Sequence, residues 1–202
     1  MNIKSISAVI FLLASLMMSS AWALSAPEKL IRQTTEDVLS TIKTNQQRYI
    51  DNPSELYAMV DKKVLPHFDF ERMTNLALGR YKRKVKGEQK KQLVQAFRDL
   101  LVRTYGKALL EYNDQVVDYL PMRGKLDKGE VTIRTEIQQQ GGFPVPINYA
   151  LYKKNSRWLV YDLNIDNVSL VTNYRSTFAR EIKTKGVESL IKSLQSRNKE
   201  AQ

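Results

Sequence analysis

Hydrophobic residues recur at helical spacing through the first half of the chain. Pro27 can open one helix, the Asn52-Pro53 pair places a capping side chain before a first-turn proline, and Asp69 can cap a short helix that ends at Gly79. The strongest helical pattern runs from about Glu88 to Tyr112, where apolar residues repeat at three- and four-residue steps. These residues are Leu93, Phe97, Leu100, Leu101, Tyr105, Ala108, Leu109 and Tyr112.

The period of the pattern changes to two after Asn113, which indicates strands. Four strands are predicted, the first of them stopped by Pro121, over residues 116–120, 131–138, 145–152 and 157–163. Because the turns between them are short, the strands must pair antiparallel. The helical period returns after Asn167, breaks at Gly186 and resumes in a final helix. This order predicts a single α+β domain in which helices cover one face of a four-stranded sheet.

The N-terminus has the pattern of a secretory signal peptide. A short segment containing Lys4 precedes an uncharged stretch, Ser5–Pro27, whose densely apolar centre ends in small residues. Ala21 and Ala23 form an A-x-A cleavage signature, so we expect cleavage after Ala23 and a mature domain of residues 24–202. The alternative is an uncleaved membrane anchor. Because Lys4 is the only charge removed, cleavage changes the net charge from +11 to +10.

Composition narrows the possible chemistry. The 202 residues include no Cys and a single His, which excludes a disulfide framework, a thiolate metal site and a metal site built from several His. Motifs of serine hydrolases, zinc proteases and nucleotide-binding loops are absent. One catalytic candidate is His67, which Asp69 could orient for a remote Ser, although a His packed beside Phe68 and Phe70 is the simpler interpretation. Another is the carboxylate pair Asp162 and Asp166, but at a strand end such residues cap more often than they act as acid and base. We therefore predict a binding protein that is not an enzyme and needs no metal or cofactor.

The densest run of charge is basic. It extends from Tyr81 to Lys91 in a chain with 32 Lys and Arg against 21 Asp and Glu. Three interpretations are open: a solvated face, electrostatic steering toward an acidic partner or an anionic lipid surface, and nucleic-acid binding. Export argues against nucleic acid as a partner. The residues expected to contact a protein partner or a lipid headgroup are Lys82, Arg83, Lys84 and Lys86.

An ordered set of residues extends over the mature chain. It comprises the segments His67-Phe68-Asp69-Phe70, Leu76–Tyr81, Trp158–Asp162, Val168–Leu170 and Asn173–Arg175, with Gln89, Phe97, Tyr105, Phe178 and Gly186. This set resembles the MlaC family, periplasmic phospholipid-binding proteins of the toluene-tolerance group. The resemblance covers the chain from about Ala26 to Leu194. Two positions depart from it, because Tyr81 stands where the aromatic is often Trp and Asn167 where Gly is expected.

The resemblance implies a helical lobe on a four-stranded, strongly twisted antiparallel sheet, like the nuclear-transport-factor fold. An apolar pocket between lobe and sheet would take the acyl chains of a phospholipid, as cargo and not as a cofactor. The implied function is a periplasmic shuttle that maintains outer-membrane lipid asymmetry. Its implied partners are an outer-membrane lipoprotein–porin complex and an inner-membrane ABC transporter with an MCE-domain subunit.

We expect this shuttle to be a monomer, and two alternatives to phospholipid carriage remain. One is a periplasmic lipid-acting hydrolase that uses His67. The other is a carrier of a different apolar lipid, such as a hopanoid.

The expected pocket residues are apolar side chains of the long helix, of the inward strand faces and of neighbouring helices. Because lipid-sized pockets are lined mainly by apolar and aromatic side chains, we expect roughly half of the set to contact ligand. The set is Leu78, Phe97, Leu101, Tyr105, Val117, Ile133, Ile147, Tyr149, Val160, Val171 and Tyr174.

Overall fold

The computed structural model describes residues 24–200, so the predicted signal peptide over residues 1–23 lies outside the described residues. The helices in this range are α1 (Ala26–Asp51), α2 (Pro53–Lys63), α3 (Phe70–Leu78), α4 (Gly87–Gly106) and α5 (Leu170–Glu200). The strands are β1 (Val117–Lys125), β2 (Glu130–Ile137), β3 (Val145–Lys154), β4 (Arg157–Ile165) and β5 (Val168–Ser169). They form one antiparallel sheet in sequence order. The predicted α+β class, a helical lobe on an antiparallel sheet, is confirmed.

The predicted helix starts are confirmed, with one difference in detail. Pro27 lies in the first turn of α1, and the Asp69 carboxylate caps α3 by accepting the Arg72 amide at 2.8 Å. Pro53 is the first residue of α2. The Asn52 side chain, however, bonds neighbouring side chains and does not cap the helix through a backbone amide.

The long helix ends before the predicted residue, Tyr112. α4 stops at Gly106, and the chain continues as a 3-10 helix over Lys107–Glu111. Short 3-10 segments are common at helix ends, and apolar spacing alone does not distinguish one from a further α-helical turn. Leu109 and Leu110 of this segment pack against side chains of α1 and α2.

The prediction that Pro121 stops the first strand is wrong. β1 continues to Lys125, and its pairing with β2 shifts register between Leu120 and Arg123. The proline therefore lies in a bulge on an edge strand, where its missing N–H does not interrupt the ladder of hydrogen bonds.

The region after the fourth strand contains one element more than predicted. β5 pairs with the end of β4 but is only two residues long, too short to show a strand period in the sequence. The predicted break at Gly186 is confirmed, because this residue interrupts α5 with φ of 85° and ψ of 173°. Only glycine adopts such a conformation without strain.

The buried side chains form three clusters. The helical cluster lies between α3, α4 and α5 and includes the fully buried Phe97 and Phe178. A second cluster joins α1 to α2, and a third, the sheet cluster, joins Ile31 of α1 to β2, β3 and β4. Leu163 packs against both the helical and the sheet cluster. Within residues 24–200, no helix is long and apolar enough to cross a membrane.

Candidate functional site

Five of the predicted pocket residues lie on one face of the sheet. Residues opposite one another in an antiparallel pair share a face, and every second residue along a strand shares it as well. The register pairs Ile133 with Tyr149 and Leu151 with Val160, and the remaining members follow by pairing and alternation. We call this surface the inner face. Its predicted members are Val117, Ile133, Ile147, Tyr149 and Val160.

The other six predicted residues lie in the helical cluster. The four that are buried there are Leu78, Phe97, Leu101 and Val171. The two that pack against it, partly buried, are Tyr105 and Tyr174. The rings of Phe97 and Tyr174 meet edge to face, with their centroids 5.0 Å apart. The structure thus divides the predicted set into two groups. The inner-face group and the helical-cluster group meet at β4, where Leu163 packs against both the helical and the sheet cluster.

Helix α1 covers part of the inner face. Near its start, Ile31 packs against the sheet cluster. Farther along, α1 and β1 border a cleft of about 440 Å³, a volume in the usual range of small-molecule sites. The residues that line this cleft are Arg32, Thr35, Glu36, Leu39, Ser40, Lys43, Tyr112, Asp114, Gln115, Val117 and Tyr119.

Tyr149 lies on the inner face, next to Thr35 and Tyr119 of this cleft. The side chain is only half-buried, yet burial raises the pKa of its hydroxyl to about 12. The neighbouring Tyr119 raises this pKa further, whereas hydrogen bonding with Thr35 and Thr135 opposes the shift. The hydroxyl of Tyr149 therefore lies among side chains of α1, β1 and β2 and not in bulk solvent.

Polar groups of α1 frame the opening of the cleft. The central guanidinium carbon of Arg32 is 3.8 Å from the centre of the Tyr119 ring, and the contact of Arg32 with Glu36 is long, at 4.0 Å. Thr35 lies beside the phenols of Tyr119 and Tyr149. The buried hydroxyl of Tyr119 forms no hydrogen bond of good geometry within residues 24–200. The opening therefore presents a cation beside a buried donor with unused hydrogen-bonding capacity.

The second cation of the cleft is already paired. The Lys43 ammonium lies 2.7 Å from the Asp114 carboxylate, and this hydrogen bond raises the pKa of Lys43. Arg32 has no carboxylate within 4 Å other than the distant contact with Glu36 in the described part of the chain. Of the two, Arg32 is the better placed to bind an anionic group.

Neither Arg32 nor Thr35 was among the predicted site residues, although the sequence contains a signal for Thr35. Ile31, Thr35 and Leu39 form an i, i+4 row, so Thr35 must share the apolar face of α1. Arg32 is adjacent to that row. Spacing along one helix does not reveal that an arginine will stack on Tyr119, which comes from a distant strand.

Within residues 24–200, His67 has no acidic partner of the kind that a catalytic dyad requires. One oxygen of Asp69 accepts the Arg72 amide, and the other accepts the Tyr152 hydroxyl and the Lys154 ammonium (3.0 Å). This carboxylate therefore ties α3 to β3. Burial lowers the pKa of His67, so its imidazole is neutral at pH 7. Among the described residues, no group of three or more His, Asp or Glu is placed to hold a metal ion.

A family model described as MlaC protein matches residues 32–196, a span that includes every predicted pocket residue. The chain belongs to the MlaC family. This membership confirms the resemblance that the ordered residues from His67 to Gly186 suggested.

Individual relatives of the MlaC type match most of the chain. The intermembrane phospholipid transport system binding protein MlaC of Haemophilus influenzae is 26% identical over 187 residues, which cover 91% of this chain and 87% of that protein. The toluene tolerance protein ttg2D of Pseudomonas putida is 26% identical over 166 residues, covering 81% and 76% of the two chains. A phospholipid-binding protein of Ralstonia solanacearum, solved in complex with a phospholipid, matches with a TM-score of 0.78 and 35% identity. That match covers 85% of this chain and 96% of the other.

In this member of the MlaC family, the basic segment is separate from the cleft. Lys82 and Arg83 end a 3-10 helix over Gly79–Arg83, and Lys84 and Lys86 lie between it and α4. All four side chains are exposed, and none forms an ion pair within residues 24–200. They do not line the cleft. Their role as a contact surface stays a prediction.

Proposed function

We propose that the protein carries a glycerophospholipid whose acyl chains lie between α1 and the inner face of the sheet. The observation that supports this most directly is Tyr149, which keeps accessible surface on the inner face although protein desolvates its hydroxyl. Ile147 and Ile165 pair across the same face and are also half-buried. Membership of the MlaC family, with a phospholipid-bound structure among its matches, supports phospholipid as the ligand class.

Carriage in a closed site follows from the hydrophobicity of acyl chains. Each methylene group contributes about 0.8 kcal/mol on burial, so exposing two chains with some 30 methylenes would cost roughly 24 kcal/mol. Free release into water is therefore negligible. Transfer must take place in a docked complex, where the chains pass from one apolar surface to another. Such a carrier needs no nucleophile, and the Asp69 carboxylate that could have oriented His67 is bonded instead to Arg72, Tyr152 and Lys154.

The headgroup in this proposal lies at the opening of the cleft. A phosphodiester is anionic, and arginine binds phosphate through charge-assisted, often bidentate hydrogen bonds. Among residues 24–200, the only carboxylate within reach of Arg32 is that of Glu36, at 4.0 Å, and the Tyr119 ring beneath it holds the guanidinium in one orientation. The Tyr119 hydroxyl is available as a further donor. Both side chains would therefore contact the phosphate.

The proposed site of action is the periplasm. The pattern of residues 1–23 supports export, and a relative named for intermembrane phospholipid transport supports movement between two membranes. The proposed partners are an outer-membrane lipoprotein–porin complex and an inner-membrane ABC transporter with an MCE-domain subunit. In this account the shuttle maintains outer-membrane lipid asymmetry, and any energy coupling belongs to the transporter.

Native mass spectrometry of the protein purified after export tests the proposal. The expected result is an intact glycerophospholipid of diacyl mass bound to the protein, unchanged in the His67→Ala variant. Recovery of lysolipid and free fatty acid in the wild type but not in His67→Ala would instead indicate a hydrolase. A bound hopanoid or another lipid without a phosphodiester would contradict the assigned ligand class.

A further inference from the structure

The loop between β2 and β3 carries a large hydrophobic side chain that is not packed against the rest of the described chain. Phe143 is 94% exposed near the tip of this loop, which spans residues 138–144. Gly141, with φ of 73°, and a hydrogen bond from the Gly142 amide to the Gln139 carbonyl (3.5 Å) turn the chain at this point. A phenyl ring surrounded by water makes no contribution to the stability of the folded monomer.

Two more exposed apolar side chains lie at the same end of the sheet. Val116 is 60% exposed just before β1, and its carbonyl accepts the Gln138 amide (2.9 Å) at the base of the loop. Val168 is 52% exposed in β5, which follows a turn that is hydrogen-bonded to the start of β3. We call Val116, Phe143 and Val168 the apolar rim.

The centre of this end of the sheet carries no charge. No charged residue occurs between Ile137 and Tyr152, although 26% of the chain is charged. Acidic groups lie at its flanks. Asp118 and Glu136 are opposite one another in the β1–β2 ladder, on the face away from the inner one. Asp166 lies in the turn before Val168, and Asp114, two residues before Val116, is paired with Lys43. The loop tip can therefore enter a medium of low dielectric constant without carrying a charge into it.

We propose that the apolar rim is a membrane-contact edge, with the Phe143 ring inserted among the lipids at a bilayer surface. A narrow uncharged tip fits between lipid headgroups, whereas a stable protein interface of standard size needs about 800 Å² on each partner. The rim also adjoins the cleft, because Val117, which follows Val116, lines it. Insertion would bring the bilayer next to the opening through which cargo passes.

A tryptophan reporter at the tip measures insertion directly. Phe143→Trp is combined with Trp158→Phe, and the emission of the Trp158→Phe protein alone is subtracted. We expect vesicles of phosphatidylethanolamine with a minor fraction of phosphatidylglycerol to shift the reporter emission to shorter wavelength, and brominated acyl chains to quench it. The matched control is Leu126→Trp, an exposed position in the β1–β2 connection at the opposite end of the sheet. An unquenched Phe143→Trp reporter would overturn the proposal and make the rim a contact for protein.

Vesicle flotation of polar variants supplies the second measurement. We expect Phe143→Ser to weaken vesicle binding about tenfold or more, and Leu126→Ser to leave it unchanged. Equal flotation of Phe143→Ser and the wild type would contradict the proposal. Lipid carriage is scored separately on the same samples by native mass spectrometry. A protein that inserts its tip but holds no phospholipid would support the membrane edge and contradict the proposed function.

Discussion

The Arg32 guanidinium stacks on the Tyr119 ring at 3.8 Å and so joins α1 to β1 across the opening of the cleft. A cation–π contact of this kind contributes on the order of 0.5–2 kcal/mol. Because both side chains also line the cleft, any movement of α1 away from the sheet changes the shape of the proposed binding site. In the proposed function, the same arginine holds the helix in place and presents a cation to the headgroup.

Replacing Arg32 with Ala is expected to speed the loss of bound phospholipid. A hydrogen bond between charged groups contributes about 1.5–3 kcal/mol, so the dissociation rate should rise about tenfold to a hundredfold. The measurement is the rate at which a fluorescent phospholipid leaves the protein for excess acceptor vesicles. The matched control is Arg48→Ala, which removes an exposed arginine of the same helix that pairs with Glu55 outside the cleft. Equal dissociation rates for the two variants would remove Arg32 from the headgroup site.

Adding bulk at the inner face, where the proposed function places the acyl chains, is expected to exclude lipid without unfolding the protein. Ile147→Trp places a large ring on the inner face, whereas Asn148→Trp places the same ring one residue along β3 on the opposite face. We expect the first variant to lose most of its bound phospholipid and the second to retain it, with both cooperatively folded by circular dichroism. Full lipid occupancy of Ile147→Trp, measured by native mass spectrometry, would show that the chains lie elsewhere.

The Asp69 carboxylate is expected to give the fold an acid-sensitive contact. Burial by itself raises the pKa of Asp69, but hydrogen bonds from Tyr152, the Arg72 amide and Lys154 outweigh it and leave the pKa below its ordinary value. A lowered folded-state pKa stabilises the protein above the unfolded pKa of about 3.9 and loses this effect as pH falls through the folded-state pKa. Stability contributed by Asp69 should therefore be complete at neutral pH and disappear in strong acid.

Chemical denaturation of Asp69→Asn at several pH values checks this expectation. At pH 7 we expect the free energy of unfolding to fall by about 1–3 kcal/mol, because the substitution weakens the cap of α3 and its hydrogen bonds to the sheet. The difference from the wild type should shrink below a pH of about 4. Asp37→Asn, which disrupts an exposed pair with Lys63, should change stability by less than about 1 kcal/mol. A pH-independent difference for Asp69→Asn would contradict the assigned role.

The basic segment is expected to accelerate encounter with a partner and not to retain lipid. Reversing the charge of Lys82, Arg83, Lys84 and Lys86 should slow phospholipid transfer to a membrane-bound partner at low salt and leave bound lipid unchanged. The effect should fade as salt rises, because the Debye length is about 8 Å at physiological ionic strength. The matched control reverses four exposed lysines of α5: Lys183, Lys185, Lys192 and Lys199. Transfer that is unchanged at low salt would make the segment an ordinary solvated face.

The sequence predicted which strand residues share the inner face, because successive side chains of a strand point to opposite faces of the sheet. Once Ile133, Tyr149 and Val160 were assigned to strands, the register placed them on one surface. The end of the long helix and the continuation of β1 past Pro121 were not predictable in this way. The helix ends in a 3-10 turn and the strand continues through a bulge. Both are local hydrogen-bonding patterns that the spacing of apolar residues does not predict.

The polar contacts of the candidate site were also not predictable from the sequence. The stacking of Arg32 on Tyr119 and the position of Thr35 beside two phenols arise only when α1 is laid across the sheet. Hydrophobic periodicity predicts which face of a helix is buried but not which strand it meets. For the same reason, the sequence did not predict that the pocket residues divide between the inner face of the sheet and the helical cluster.

Photo-crosslinking with a phospholipid that carries a diazirine on one acyl chain tests the central claim most directly. The labelled lipid is loaded into the exported protein, activated and mapped by peptide mass spectrometry. Labels are expected on the inner face and on the side of α1 that covers it, at residues such as Val117, Ile147 and Tyr149. Labels confined to the opposite face of the sheet or to the helical cluster would contradict the proposed site.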